Sequence, residues 1–512
     1  MATDTISTPS RREPVRAKAR RTPGRVVARV RATPAPLALL LAVAVALTLG
    51  WNVSLPAFQG PDEAGHFAYV QRLAESGHLP SATTGPTPTS TAVHELLTQL
   101  NLQPLIGDLS ARPAWSRADL ERWVKIENAL PPGSSSNGEG PNPIAKNPPL
   151  YYALMAIPYR VFSGMPLLKR IFVLRLFNAI CYLVTILLTW LLAGEVFGPV
   201  RWKQTLAAGA VALEPQLSYM SAVINADNLL IVLTTGFLLA AVRLVTRGPS
   251  IGRVLAASLL AAAAVLTHGR GLVTLPVLAV ALVVCAIRFR PPLRDALIRG
   301  ALAAATVGVA FLAYLALGRG AGSGSLYGGQ VSELNGTSFN LRQFLSSVYQ
   351  FYFPKLPSLQ PRVGPAYGYR QVFIDTFYGT FGSLEVNFRP RVYDLLQVFS
   401  ALGLVGLYTA VVVSWRALLR AWPTVLVMLS LLVTTLFFLH YVSYHALIGN
   451  GGTDPLIVGR YLLPMVSLFG LAIVFTLAKL RRAGPLLGAV VLVTGLVLTL
   501  AGIGMTLERF YA

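Results

Sequence analysis

The residues best equipped for chemistry lie in the run Pro61-Asp62-Glu63-Ala64-Gly65-His66. Adjacent carboxylates with an imidazole close behind suit general acid–base work, in which a positioned side chain takes or gives a proton at a reacting oxygen. Pro61 before and Gly77 after bracket a helix over 62–76, which sets Asp62 and His66 one turn apart. Each residue also has a plainer reading. An acid in the first turn of a helix complements its dipole. Glu63 suits a second carboxylate, a ligand to a hard cation or a structural partner, and His66 can simply hydrogen-bond Asp62.

Further candidates are spread along the chain. Lys146, Arg175, Arg270 and Arg460 are cations at the edges of apolar runs, where a phosphate-bearing lipid would present its charge. Arg in particular suits two-pronged phosphate contact. Tyr151, Tyr152, Asn225, Asp227, His268, Glu385 and Tyr461 fall at the same boundaries and are candidates to line the pocket. The plain alternatives are a snorkelling anchor for each cation, an Arg partner for Asp227, a structural role for His268 and an interfacial belt for the aromatics. Zinc spacing is absent, and a divalent cation on Asp62, Glu63 and Glu385 is only weakly supported, so no metal or other cofactor is expected. The sequence has no phosphate-binding glycine loop, dinucleotide fingerprint or nucleophile elbow.

The elements that must position these groups are membrane helices. Of 512 residues 54% are hydrophobic and only 12% charged, with mean hydropathy +0.58; soluble proteins carry about 25% charged residues. Apolar runs of the length needed to cross roughly 30 Å of hydrocarbon recur throughout. The expected fold is all-α and polytopic, with about eleven transmembrane helices. The first, over 35–51, is expected to be retained rather than cleaved and follows a disordered basic tail at 1–34. A long outer loop at 52–170 carries interfacial helices near 115–130 and 151–162, the latter too short to span. Spans two to seven occupy 171–317, with the third expected over 204–224. An aromatic-rich outer segment at 318–390 precedes the last four spans at 391–512. Cys181 and Cys285 fall at opposite ends of the membrane, too far apart to pair.

The formal net charge of +22 raises nucleic-acid binding as a reading, and the distribution of the charge removes it. With this layout, 23 of the 43 Lys and Arg fall in the tail and five short loops on one side, against four acids. Short loops rich in Lys and Arg face the cytoplasm. The tail is therefore cytoplasmic, the surplus charge reports orientation, and Asp62 and its companions face outward from the cytoplasmic membrane.

Taken together, Pro61-Asp-Glu-x-x-His66, Asn147-Pro-Pro-Leu-Tyr-Tyr152, the helix start at Arg175, Glu214-Pro-Gln with Asn225-x-Asp227, and Gly459-Arg-Tyr-Leu-Leu-Pro464 resemble a bacterial membrane family known as domain of unknown function 2142. The resemblance runs over about 37–505. That family is similar in layout to the C-type glycosyltransferases, among them protein mannosyltransferases and the aminoarabinose transferases that modify lipid A. The resemblance implies an inverting enzyme on the outer face that uses a polyprenyl-phosphate sugar and a glycan or glycolipid acceptor among the membrane lipids. By it, Asp62 matches the catalytic acid and Lys146 the lysine near the donor phosphate, although here Asn147 stands between that lysine and the proline pair. His66 departs from the transferase pattern. A lipid or polysaccharide transporter, which would want charges at mid-membrane depth, and a non-enzymatic envelope-assembly protein are the alternatives.

Overall fold

A computed structural model of the chain describes residues 33–320, 339–353, 355–360, 362, 370–446 and 457–512. The expected basic tail lies almost wholly outside these residues. The described chain is helical, apart from one antiparallel pairing of Thr380–Phe381 with Val386–Asn387.

Among the described residues nine helices are long and apolar enough to cross a membrane: Ala35–Ser54, Leu167–Phe197, Asp227–Arg247, Gly269–Phe289, Leu293–Ala313, Pro390–Val413, Trp422–His445, Gly459–Leu480 and Ala483–Tyr511. Two of the expected eleven runs differ. Ile251–Thr267 is an apolar helix of 17 residues, capped by Ser250, whose hydroxyl accepts from the Arg253 N–H. The run expected as one span over 204–224 is broken. Arg201–Ala212 stops, and Pro215–Met220 restarts with Pro215 in its first turn, where its missing N–H is harmless. The Glu214 carboxylate accepts from the Gln216 and Leu217 N–H groups at 3.2 and 2.5 Å, capping the restart. A carboxylate deep in an apolar run is thereby explained as a helix cap.

Helices pack closely where side chains are small. A Cβ placed on Gly470 would lie 2.5 Å from the Ala207 carbonyl oxygen. Gly470→Val is therefore expected to force the two helices apart and to cost about 1–3 kcal/mol, read as a lower unfolding midpoint in detergent. One apolar core joins Trp51, Phe67, Tyr152, Tyr219 and Phe381 around the end of the first span; a second lies among Leu192, Phe237, Val254, Val277 and Val427. In the loop after the first span, helices form at Glu63–Ser76, Thr91–Gln99, Arg117–Ala129 and Leu150–Val161. Ser116 and Asp119 form a reciprocal capping box at the third of these.

Candidate functional site

The turn that carries Asp62 is built on a buried ion pair. The Glu63 carboxylate receives Arg175 Nε at 2.8 Å and Nη2 at 2.6 Å, with both side chains almost entirely enclosed. Glu63 also accepts from the Ile224 N–H at 3.0 Å and the Gly60 N–H at 3.3 Å. Arg175 spends its other N–H groups on the Leu55 and Pro56 carbonyls. The pair thus ties the exit of the first span, the Leu167–Phe197 helix and the loop after Pro215–Met220 to one point. This corrects two expectations. Arg175 points its guanidinium at protein acceptors rather than at a phosphate, and Glu63 has no carboxylate face left for a proton or a cation.

Asp62 is the opposite case. Its neighbours Pro61 and Glu63 are buried, yet its own side chain is 53% exposed. It sits at the helix start without capping it, with φ 57° in the left-handed region, where Asp is among the few side chains tolerated. The Asn225 side chain holds the Pro61 carbonyl at 3.1 Å, and Tyr219 Oη donates to Gln59 and Gly382 carbonyls at 3.4 and 2.9 Å. The backbone is therefore fixed from both sides while the carboxylate stands clear. One of its oxygens accepts from Arg460 Nη2 at 3.0 Å.

Arg460 reaches Asp62 across almost 400 residues of sequence. The preceding Gly459 donates to Thr376 Oγ1, and a Cβ there would lie 2.3 Å from the Val372 carbonyl oxygen, so only glycine fits. Arg460 and Arg270 both lie over the Tyr461 ring, at 5.5 and 4.4 Å from its centre. Arg270 pairs with Asp227 and lies 3.3 Å from His268 Nε2. The Asp227 N–H donates to Asn225 Oδ1 at 2.9 Å. Arg460 Nε and Arg270 Nη1 are buried and have no hydrogen-bond partner among the described residues. A buried N–H without an acceptor costs about 1–3 kcal/mol, so each is a donor suited to a bound anion.

His66 Nδ1 lies 2.9 Å from Tyr152 Oη. That hydroxyl also accepts from Asn147 Nδ2 at 3.1 Å, leaving its own proton available to Nδ1 and the imidazole proton on Nε2. Tyr69 stacks on Tyr152 with ring centres 3.7 Å apart, and Tyr151 donates to Asn178. Lys146 ends a short turn, Pro143–Lys146, that is clamped to the same helix by Asn142 Nδ2 on the Gly65 carbonyl. Burial pushes His66 down to about 4, against the opposing pull of the Asp62 and Asp227 carboxylates; Arg460 adds to the lowering. The imidazole is neutral at pH 7. The unfolded chain takes up this proton below about 6.5 and the folded chain only below about 4, so the stability is fully present above the first value and falls as pH drops through that window. The loss is about 3 kcal/mol by pH 4. Unfolding midpoints at pH 7.5 and 5 should differ less in His66→Gln than in the unmodified chain.

A model of predicted membrane proteins, DUF2142, matches residues 45–469. The chain belongs to this family. It is similar to the oligosaccharyltransferase of Archaeoglobus fulgidus with zinc and sulfate: 14% identity, TM-score 0.47, covering 91% of this chain and 53% of that one. The same archaeal enzyme with an inhibitory peptide and a dolichol-phosphate matches at 15% identity and TM-score 0.45, covering 92% and 55%. ArnT from Cupriavidus metallidurans in the apo state matches at 15% identity and TM-score 0.37, covering 92% and 77%. The chain spans about half the length of the archaeal enzymes it matches. No curated protein matches.

In this DUF2142 chain Asp62, Arg460, Tyr461, Arg270, Asp227, His268 and Asn225 form one connected group, with His66 and Tyr152 electrostatically beside it. Glu385 does not join it. Its carboxylate binds Arg509 at 3.0 Å and the Gly107 N–H at 2.7 Å, which corrects its expected placement among the pocket-lining residues. Among the described residues no three His, Cys, Asp or Glu side chains gather as a metal site. Sequence reasoning missed Tyr219, Gln59, Tyr69 and Thr376 as supports. Tyr219 had a signal: a hydroxyl four residues past the Glu214-Pro215 break, where an uninterrupted span has no use for one.

Proposed function

We propose that the chain is a membrane glycosyltransferase that moves a sugar from a polyprenyl-phosphate donor to a hydroxyl of a cell-envelope glycan or glycolipid, on the outer face of the cytoplasmic membrane, with inversion. The observation that carries this reading is the juxtaposition at Asp62: an exposed carboxylate on a rigid turn, beside two half-buried guanidiniums that each keep one buried N–H without a hydrogen-bond partner among the described residues.

In this reading Asp62 takes the proton of the acceptor hydroxyl as its oxygen bonds to the anomeric carbon. The bond from that carbon to the phosphate oxygen breaks on the opposite side, and the electron pair leaves with the polyprenyl phosphate. Charge grows on the phosphate as this bond breaks, and Arg460 and Arg270 meet it with fixed donors; Lys146 enters this reading only as the lysine that the family resemblance assigns to the donor phosphate. Donor binding draws Arg460 toward the phosphate and releases the Asp62 oxygen it holds. Tyr461, half-buried beside Asp62, supplies stacking surface for the sugar, while the enclosed Tyr152 and Asn225 hold the turn in place. The short basic loops join the helices at the end opposite this group, which supports the outward assignment. A transporter reading loses its main support once Glu214 is a helix cap. Nothing in this chemistry calls for nucleic acid.

The test is transfer by the full chain in lipid nanodiscs, with radiolabelled polyprenyl-phosphate sugars and cell-envelope glycolipid acceptors. Release of polyprenyl phosphate matched by labelled, inverted product is expected. A folded chain that turns over no donor with any acceptor overturns the reading.

A further inference from the structure

The helix Leu341–Tyr352 presents its polarity the wrong way round for water. Its buried face carries Ser346, Ser347 and Gln350 together with Phe344 and Phe351. Those polar groups bond along the helix: Gln350 Nε2 donates to Ser346 Oγ at 3.0 Å, and Ser347 Oγ to the Phe344 carbonyl. Leu341, Leu345, Tyr349 and Phe353, four residues apart, instead form an outward stripe, each between 37% and 59% exposed. Phe339 and Leu356 extend it at either end, and Arg342 and Lys355 stand exposed beside it.

The packing fixes where this stripe lies. Phe344 meets Phe437 and Tyr444, and Phe351 meets His440, all on the last turns of the span Trp422–His445. Seven residues of helix separate Phe344 from Phe351, about 10 Å of rise. Yet both rings meet the span at one level, centred on His440. The helix therefore runs across the span, in the plane of the membrane, at the level of the aromatic and histidine-rich last turns of the span, His440 to His445. Aromatic side chains and flanking cations are the composition of that boundary.

We infer that Leu341–Tyr352 is a membrane-surface helix whose Leu341–Leu345–Tyr349–Phe353 stripe docks on the outer-leaflet lipids of the bilayer that the chain spans. It is coupled to the site. Phe351, Val372 and Ile457 pack as one cluster, and the Val372 carbonyl and Thr376 hydroxyl close around Gly459, the residue before Arg460. Lipid held under this helix supports the turn that presents Arg460. The assignment stands whatever reaction the site performs.

The experiment is spin labelling of the full chain in nanodiscs of phosphatidylethanolamine and phosphatidylglycerol. Labels go at Leu345→Cys and, separately, Tyr349→Cys, in a Cys181→Ser, Cys285→Ala background; Arg117→Cys on the exposed loop helix is the aqueous control. Collision with molecular oxygen is expected to exceed collision with a water-soluble nickel chelate at 345 and 349, and the order to invert at 117. Greater nickel than oxygen access at 345 and 349 overturns the inference, as does protection from both reagents, whether by a second copy (seen as spin–spin broadening) or by another protein surface. Two independent label sites keep the test decisive if one variant fails to fold.

Discussion

Asp62→Asn is expected to lower sugar transfer by about 10²–10⁴-fold, the range lost with a general base, while leaving the unfolding midpoint almost unchanged. The substitution suits this backbone. Asp62 has φ 57°, and Asn tolerates the left-handed region as Asp does. Alanine there would add conformational strain of about 1–2 kcal/mol and blur loss of chemistry with loss of fold. The amide still accepts from Arg460 through its carbonyl oxygen, so the geometry of the pair survives and basicity alone is removed. Asp62→Glu is the companion test. It keeps the charge but advances the carboxylate by one methylene, and misplacement of about 1 Å costs a further 10² or so in a positioned reaction. Full turnover by Asp62→Asn, with donor affinity also unchanged, removes Asp62 as the base. Loss confined to donor affinity assigns it instead to positioning Arg460.

The choice between the two carboxylates of this pair was not legible in the sequence. Asp62 and Glu63 are neighbours with the same chemistry, and only their partners separate them. The Glu63 partner, Arg175, lies 112 residues away, and Arg460, which meets Asp62, lies 398 away. No local spacing encodes either contact. What was legible is whatever hydrophobic length and charge distribution control: the helical membrane fold, and the gathering of polar groups at one end. The broken run at Glu214-Pro215 was readable in principle, because a proline in the first turn behind a capping acid marks a helix start. The hydropathy of the surrounding residues outweighed it. The helix Leu341–Tyr352 was hidden for a related reason. Its sequence is amphipathic, but which face turns inward depends on Tyr444, Phe437 and His440, far along the chain.

Arg175→Met is expected to destabilise the fold by about 3–5 kcal/mol, the cost of breaking a buried ion pair by removing one partner. The penalty follows from what remains. The Glu63 carboxylate would stay enclosed with only the Ile224 and Gly60 N–H groups to answer its charge, and the Leu55 and Pro56 carbonyls would lose their donors. Glu63→Gln should cost less than Arg175→Met, since the amide keeps the shape and one acceptor. It still leaves a buried guanidinium without its counter-charge. Combining Glu63→Gln with Arg175→Met should destabilise by less than the sum of the two, because each change removes part of the harm done by the other. The carbonyls at 55 and 56 prevent full recovery. Thermal unfolding of the four proteins in one detergent gives the cycle. Additive effects, or a cost within about 0.5 kcal/mol for Arg175→Met as on an ordinary surface, would contradict the anchoring role. Transfer by Glu63→Gln, measured well below its unfolding midpoint, separates the two carboxylates functionally. If Glu63 only holds the turn, activity should fall with the disorder of Asp62 and recover on cooling, which a missing base cannot do.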